Sequence, residues 1–158
     1  MSKVKLDKID RKILNDLQNN GRMTNVELAE RSGISAPPCL RRVRALEEAG
    51  IIRGYHADID PATMGYNVLV FAHVGLSSQA DADLRKFEEQ CKSWDMVREC
   101  HLVAGESDFL LKIVAKDWED YQRFLTQNLT TVPIVSHVKS ALGVKIVKDQ
   151  PGVPVKID

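Results

Sequence analysis

Residues 24–53, TNVELAERSGISAPPCLRRVRALEEAGIIR, decide the fold of the N-terminal part of the chain. Thr24 and Glu27 stand three residues apart, the spacing of a capping box, in which a hydroxyl and a carboxylate satisfy free N–H groups at a helix start. Gly33 can take the left-handed conformation that ends a helix. The stretch therefore predicts two helices joined by a sharp turn, which is a helix-turn-helix.

The second predicted helix has one apolar and one basic face. Helical spacing predicts a buried stripe made of Cys39, Leu40, Val43 and Leu46. The opposite face carries three arginines, Arg41, Arg42 and Arg44. Guanidinium groups suit a groove lined by phosphates and base edges, although arginines alone fit a solvated basic face equally well. The helix-turn-helix context favours double-stranded DNA as the partner.

The start of this second helix departs from ordinary capping. Ser35 occupies the expected cap position, but Pro37 and Pro38 follow it and have no N–H to donate. Because each proline also disfavours the helical conformation of the residue before it, we expect the helix to begin at Pro38. That start would leave the Ser35 hydroxyl available to donate to a DNA phosphate.

A further helix precedes the pair and supports it. Its inner face is predicted from the spacing of Leu6, Ile9, Ile13, Leu14 and Leu17. Asp7 stands at its start and Gly21 after its end, as helix boundaries require.

Charge is divided between the two parts of the chain. Of 22 basic and 22 acidic residues, residues 1–53 hold 11 Lys/Arg against 7 Asp/Glu, so the basic excess lies on the helical part. No apolar run approaches the roughly 20 residues needed to span a bilayer, and the polar start MSKVKLDKIDRK lacks the apolar core of a signal peptide. We therefore expect a cytoplasmic protein with no membrane partner.

Cysteine and histidine usage gives no sign of a metal or disulfide framework. The chain has 3 cysteines at irregular spacing, and the neighbours Cys100 and His101 would point to opposite faces of a strand. We expect no cofactor and no metal, and a structural role for these residues.

The remainder of the chain alternates strand and helix patterns. After the extended segment GYHADID, apolar strands and amphipathic helices follow in the order βαββαβ, which predicts a ferredoxin-like domain. The fold class is thus α+β. The predicted divisions are residues 1–53 for the helix-turn-helix domain, 54–66 for a connecting strand and linker, 67–148 for the ferredoxin-like domain, and 149–158 for an extended, loosely held tail.

The predicted sheet carries apolar residues on both faces. Helices cover only one face of a ferredoxin-like sheet, so the other needs a partner. We expect a homodimer in which two such faces pack together.

Several separated motifs, in this order, resemble the Lrp/AsnC family, the leucine-responsive or feast/famine transcription regulators of bacteria and archaea. They are LDKIDRKIL, ELAERSGIS, CLRRVRALEEAGII, GYHADIDP and ECHLVAGESDFLLK, and the match covers about residues 6–148. The resemblance implies a sequence-specific regulator built from homodimers that assemble further, up to an octamer, and that bind a small effector, commonly an amino acid, between dimers. Ala36 and Pro37 stand where the family usually has Pro and a small polar residue.

The helix-turn-helix pattern and the resemblance together give candidate site residues. The candidates for DNA binding are Thr24, Asn25, Ser35, Pro37, Arg41, Arg42 and Arg44. The family's effector loop is matched by Gly105, Glu106, Ser107 and Asp108. Its N–H groups can receive a carboxylate and its acidic side chains an ammonium, although an ordinary hairpin turn would show the same residues. The neighbouring candidates are Leu102, Val103, Ala104 and Phe109, with Thr130, Thr131, Val132 and Pro133 from an adjacent subunit.

Two other functions compete with this interpretation. Some proteins resembling this family are enzymes, and the general acid or base candidates would be His56, His73, His101 and His137. However, the sequence shows no nucleophile with a nearby base, no metal spacing and no phosphate loop, so we do not expect an enzyme. The other alternative is an effector-sensing accessory subunit without DNA binding, which the altered helix start keeps open.

Overall fold

A computed structural model of the chain describes residues 5–157. The chain forms two compact units. The head unit comprises the described residues up to Asp58 together with the segment from Lys148, and the sheet unit comprises Ile59–Val147.

The head unit is built on three helices, α1 (Lys8–Asn19), α2 (Asn25–Ser32) and α3 (Ala36–Glu48). The predicted capping box between Thr24 and Glu27 is present, and Gly33 ends α2 in the left-handed conformation with φ 73°. Asp7 caps α1 in the same reciprocal way with Asp10. The centre of the head unit is a cluster of buried side chains from all three helices, namely Ile13, Leu28, Ala29, Cys39 and Leu46.

Two expectations for α3 were wrong. The helix begins at Ala36 and not at Pro38, because a proline φ near −65° suits the first turn and the N–H groups missing there have no intrahelical partner in any case. Leu40 is 39% exposed, so it lies outside the buried stripe that Cys39 and Leu46 form. As expected, Ser35 makes no side-chain cap hydrogen bond.

The connecting segment after the helices is not the predicted strand. Residues 54–60 have no strand conformation and their side chains are exposed. An extended segment becomes a strand only when another strand accepts its hydrogen bonds, and the described residues supply none there.

The sheet unit contains the predicted βαββαβ order. Its strands are β1 (Val68–Leu76), β2 (Val97–Leu102), β3 (Phe109–Ala115) and β4 (Val135–Gly143), arranged in the sheet as β2-β3-β1-β4. All three pairings are antiparallel, which confirms the ferredoxin-like fold.

Two helical segments cover one face of this sheet. They are α4 (Asp81–Lys92), and α5 (Trp118–Phe124) continued by a π-helical turn (Leu125–Leu129). The core between helices and sheet includes the aromatic contacts of Phe87 with Phe109 and Trp94, whose ring centroids lie 4.8 and 6.2 Å apart. Alternate residues of β3 are buried against this layer, as period-2 packing requires.

The tail is extended, but it is not loosely held. The side-chain amide of Gln18 on α1 donates to the carbonyl of Val153 at 2.7 Å and accepts from the N–H of the same residue at 3.1 Å. Arg11 also donates to the carbonyl of Lys156. The amide of Gln18 thus pairs with the tail backbone as a neighbouring strand would.

Candidate functional sites in the two units

The outward face of α3 carries the candidate DNA contacts. Leu40 and Arg41 follow Pro37 by three and four residues, Arg44 follows them by four and three, and all four residues are exposed. Within residues 5–157, neither Arg41 nor Arg44 forms an ion pair with a carboxylate. This face therefore presents two uncompensated guanidinium groups beside an exposed leucine.

Arg42 has a different position from the other two arginines. Its guanidinium donates to a carboxylate oxygen of Asp7 and to one of Asp10, both at 2.7 Å. These two bonds raise the pKa of Arg42. The pKa of Asp7 is lowered first by the N–H of Asp10 at the cap and then by Arg42. Arg42 therefore joins α3 to the start of α1.

The other head-unit candidates are also partly engaged inside the head. The backbone N–H and the hydroxyl of Thr24 each donate to the Glu27 carboxylate at 2.8 Å within the capping box, and these two hydrogen bonds lower the pKa of Glu27. Asn25 donates its amide to the carbonyl of Ala36 at 3.0 Å and so fastens α2 to the start of α3. Ser35 is exposed and makes no cap hydrogen bond.

Sequence reasoning missed one ion pair in the head unit. Arg31 donates through two nitrogens to both oxygens of Asp16, each at 2.9 Å, and Asp16 is only 8% exposed. The fork geometry of guanidinium matches a carboxylate, so the pair fixes α2 on α1 and raises the pKa of Arg31. The two residues are 15 apart in sequence, a separation with no local signature.

In the sheet unit, the candidate effector residues converge on one end of the sheet. Strand β2 ends at Leu102 and β3 begins at Phe109, and β1 pairs with β3 and β4 at its own end near Leu76. The segment 130–133 leads into β4 at that same end. The structure therefore places the loop 103–108 and the segment 130–133 of the same chain at the same end of the sheet.

Asp108 is held tightly inside its own chain. One carboxylate oxygen accepts the N–H of Leu76 at 2.7 Å, and the other accepts the side-chain amide of Gln79 at 2.8 Å. The N–H of Asp108 itself donates to the carbonyl of Val74. Asp108 therefore fixes the effector loop to the end of β1, and sequence reasoning did not find its partners because they lie about thirty residues away.

The rest of the loop is open. The Glu106 side chain is 94% exposed and its nearest cation is Lys139 at 3.7 Å. Ser107 lies 3.4 Å from a ring nitrogen of His73. Within residues 5–157, the backbone N–H groups from Ala104 to Ser107 donate to no acceptor. The loop thus offers N–H donors for a carboxylate and an exposed carboxylate for an ammonium.

The segment 130–133 follows the π-helical turn. The Thr130 and Thr131 hydroxyls donate to carbonyls of that turn, and both residues are exposed. Val132 is partly buried against the core, and Pro133 is exposed. The two apolar residues that flank the loop also differ in exposure: Phe109 is 1% exposed and Leu102 is 56% exposed.

Two family models match the two parts of the chain. A model described as winged helix-turn-helix DNA-binding matches residues 6–53, and one described as Lrp/AsnC ligand binding domain matches residues 69–153. The chain belongs to the Lrp/AsnC family of transcription regulators. The head unit therefore contains the DNA-binding domain of the family, and the sheet unit contains its ligand-binding domain except for the matched residues 148–153.

Similar proteins support the same assignment along nearly the whole chain. A leucine-responsive regulatory protein of Rhizobium meliloti (strain 1021) is 53% identical over 147 residues, covering 93% of this chain and 94% of that protein. The leucine-responsive regulatory protein of Escherichia coli (strain K12) is 38% identical, covering 96% and 92% respectively. Relatives of this family are named as regulators and not as enzymes.

Solved structures show the same architecture. A transcriptional regulator from Neisseria meningitidis, solved as a complex with L-Met, superposes with a TM-score of 0.91 at 36% identity, covering 95% of this chain and 97% of that one. Escherichia coli AsnC superposes with a TM-score of 0.87 at 26% identity, covering 96% and 100%. In the described part of this Lrp/AsnC chain, no helix combines the length and apolar character needed to cross a membrane.

Proposed function

We propose that this Lrp/AsnC regulator reads DNA with the outward face of α3 and responds to an amino acid bound at the loop 103–108. The observation that carries the DNA part is the exposed pair Arg41 and Arg44, which have no carboxylate partner within residues 5–157. The third arginine, Arg42, is committed to Asp7 and Asp10 and acts by holding α3 in place. Ser35 and Pro37 flank this face at the helix start.

The test of the DNA contacts compares single arginine substitutions. A duplex selected from a random pool by the wild-type chain serves as the probe, and fluorescence anisotropy gives its affinity over a series of salt concentrations. Arg41→Ala and Arg44→Ala should each cost about 1–3 kcal/mol if the side chain contacts a base. A side chain that contacts a phosphate should instead reduce the salt slope by about 1.

The matched control removes one exposed positive charge from the sheet unit. Arg85 pairs with Asp81 on the surface of α4, so Arg85→Ala changes net charge equally without touching the proposed face. Arginine variants of α3 that bind the probe no more weakly than Arg85→Ala would contradict the proposed contact face.

The amino-acid effector is inferred from the open loop and from the related regulator that binds L-Met. An α-amino acid carries one carboxylate and one ammonium, which the backbone N–H groups of residues 104–107 and the exposed Glu106 can receive. Exposed Leu102 offers apolar surface for its side chain, and Thr130 to Pro133 lie at the same end of the sheet.

A thermal-shift screen tests this proposal, because a ligand that binds only the native state raises its melting temperature. The twenty amino acids are compared with N-acetyl-L-methionine, which lacks the ammonium, and L-methioninamide, which lacks the carboxylate. A true effector should stabilise the wild-type chain, and Glu106→Gln should weaken that shift. Equal shifts from the blocked compounds would show that the loop does not recognise an amino acid through these groups.

Homodimerisation is proposed through the face of the sheet that the helices leave open. This face carries apolar side chains together with Lys112, His73 and Lys139, and Phe71 on the inner strand β1 is 36% exposed. The apolar residues of this face are Leu69, Phe71, Leu110, Val114 and Ala141. Lys112 lies directly opposite Phe71 on β3 and pairs with Glu99 of the edge strand β2 at 2.9 Å. The positive charge beside Phe71 is therefore balanced within the chain.

Sedimentation velocity tests the dimer and any larger assembly of dimers. Phe71→Glu places a charge at the centre of the apolar face and should produce monomers. Trp118, which is 54% exposed on α5 and lies on the helix side, provides the matched control Trp118→Glu. A Phe71→Glu chain that sediments like wild type would exclude this face as the dimer contact.

A further inference from the structure

Two cysteines lie together where α4 packs on β2. Cys91, in the last turn of α4, is 4% exposed. Cys100 pairs across the sheet with Leu111, which is fully buried beneath the helices, so Cys100 also points to the helix side. Both side chains line the same pocket between these elements. Residues from different elements thus form a vicinal dithiol that the DNA and effector sites do not use.

The dithiol borders a pocket that opens to solvent. The pocket has a volume of about 380 Å³ and is lined by both cysteines together with charged side chains and apolar ones such as Leu102. The charged lining residues are Glu88, Lys92, Arg98 and Glu99. Cys100 is exposed, so a small oxidant can reach its sulfur, whereas Cys91 is buried.

The environments of the two sulfurs differ in a way that assigns them separate chemical tasks. The neighbouring Cys91 thiol lowers the pKa of Cys100, as does His101, against the opposing effects of burial and of Glu88. The neighbouring Cys100 and burial raise the pKa of Cys91. Because the thiolate is the nucleophile, Cys100 is the sulfur that reacts first and Cys91 the one that follows.

We propose that Cys91 and Cys100 are a peroxide-responsive site that closes reversibly into an intramolecular disulfide. The Cys100 thiolate attacks one oxygen of hydrogen peroxide, the O–O bond breaks, and hydroxide leaves, so that Cys100 becomes a sulfenic acid. The Cys91 sulfur then attacks the Cys100 sulfur, the S–S bond forms, and the S–O bond breaks with loss of water. The two thiols lose two electrons and two protons, and one peroxide becomes two water molecules.

The position of this site connects it to the effector loop. Strand β2 ends at Leu102, immediately before the loop that contains Glu106. A disulfide at Cys100 would therefore tie that strand to α4. The third cysteine, Cys39 in the head unit, is 0% exposed, and burial raises its pKa, so it is an internal reference thiol.

The test treats the reduced full-length chain with hydrogen peroxide and then determines its thiols and intact mass after denaturation. We expect two of the three thiols to disappear, the mass to fall by about 2 Da, and the chain to run as a monomer on a non-reducing denaturing gel. Proteolytic mapping should find the bond between Cys91 and Cys100. Dithiothreitol should restore both thiols, since thiol exchange reverses a disulfide.

Three single variants separate the roles. Cys39→Ser should still lose both remaining thiols, whereas Cys100→Ser should lose none. Cys91→Ala should leave Cys100 without its partner, so that oxygen is added in steps of about 16 Da and no disulfide forms. Circular dichroism checks that each variant is folded before oxidation.

Three results would overturn the proposal. They are oxygen added to Cys100 in the wild-type chain without pairing, disulfides between two chains in place of one within a chain, and survival of both thiols at a peroxide exposure that oxidises N-acetylcysteine in the same tube.

Discussion

Replacing Asp108 with alanine should destabilise the sheet unit, because this carboxylate holds the effector loop against the end of β1. The change removes one hydrogen bond from the N–H of Leu76 and one from the amide of Gln79, at 2.7 and 2.8 Å. A hydrogen bond to a charged group contributes about 1.5–3 kcal/mol. Since Asp108 is only partly buried, we take the lower end and expect a loss of about 2–4 kcal/mol in the free energy of unfolding.

The measurement is thermal and urea unfolding of the full chain, followed by a signal from the sheet unit such as the fluorescence of Trp94. For a unit of this size, the expected loss lowers the melting temperature by at least about 8 °C. Asp108→Asn keeps the volume but turns one acceptor into a donor, so its effect should be intermediate. Glu106→Ala is the matched control in the same loop, and its exposed side chain predicts a change of about 0.5 kcal/mol or less.

The effector response distinguishes the two acidic residues. We expect Glu106→Ala to weaken the amino-acid response at nearly unchanged stability, and Asp108→Ala to weaken both together while DNA binding by the head unit persists. The reasoning would be refuted if Asp108→Ala melted within about 1 °C of the wild-type chain and yet abolished the response. Asp108 would then be a direct ligand contact.

Three further predictions concern the head unit. Arg42→Ala should lower the stability of the head unit at neutral pH. The pKa of Asp7 lies below its ordinary 3.8 in the folded chain, so the stabilisation from its ion pair with Arg42 is present above pH 3.8 and is lost as pH falls through the lowered pKa. The urea unfolding midpoints of the variant and the wild type should therefore converge in acid. We expect the exposed Leu40 to contact the methyl group of a thymine. Leu40→Gln should then weaken the selection of thymine at one position by about 1 kcal/mol, measured by repeated selection from random DNA, and an unchanged selected sequence would contradict this contact. Gln18→Ala should remove both hydrogen bonds to the tail backbone at Val153, so trypsin should cleave after Lys148 faster than in the wild type. Equal cleavage rates would show that these two hydrogen bonds do not hold the tail.

The sequence was most informative where the signal is local. Three local features were predicted from a few adjacent residues, and the structure has all three. They are the capping box of α2, the left-handed conformation of Gly33 and the lack of a side-chain cap at Ser35. The βαββαβ order was also predictable, because apolar period and helix length are read within single segments.

What the sequence could not supply were pairings between distant residues. Arg42 has the same local context as Arg41 and Arg44, and only the approach of Asp7 and Asp10 from another helix shows that it is engaged. Likewise, nothing near Asp108 in sequence indicates Gln79. The predicted strand at 54–60 failed for the converse reason, since alternation shows which residues suit a strand but not whether a neighbouring strand exists.

The two prolines at the start of α3 have a consequence for anion selectivity. Most helix openings attract phosphate through a cluster of unpaired amides, which any anion can occupy. Here Pro37 and Pro38 have no N–H group, so two of those donors are missing, while the fixed φ of proline keeps the first turn rigid. Attraction to a nucleic acid must then come from guanidinium groups fixed at set intervals along the helix, and free sulfate or phosphate should compete poorly for this surface.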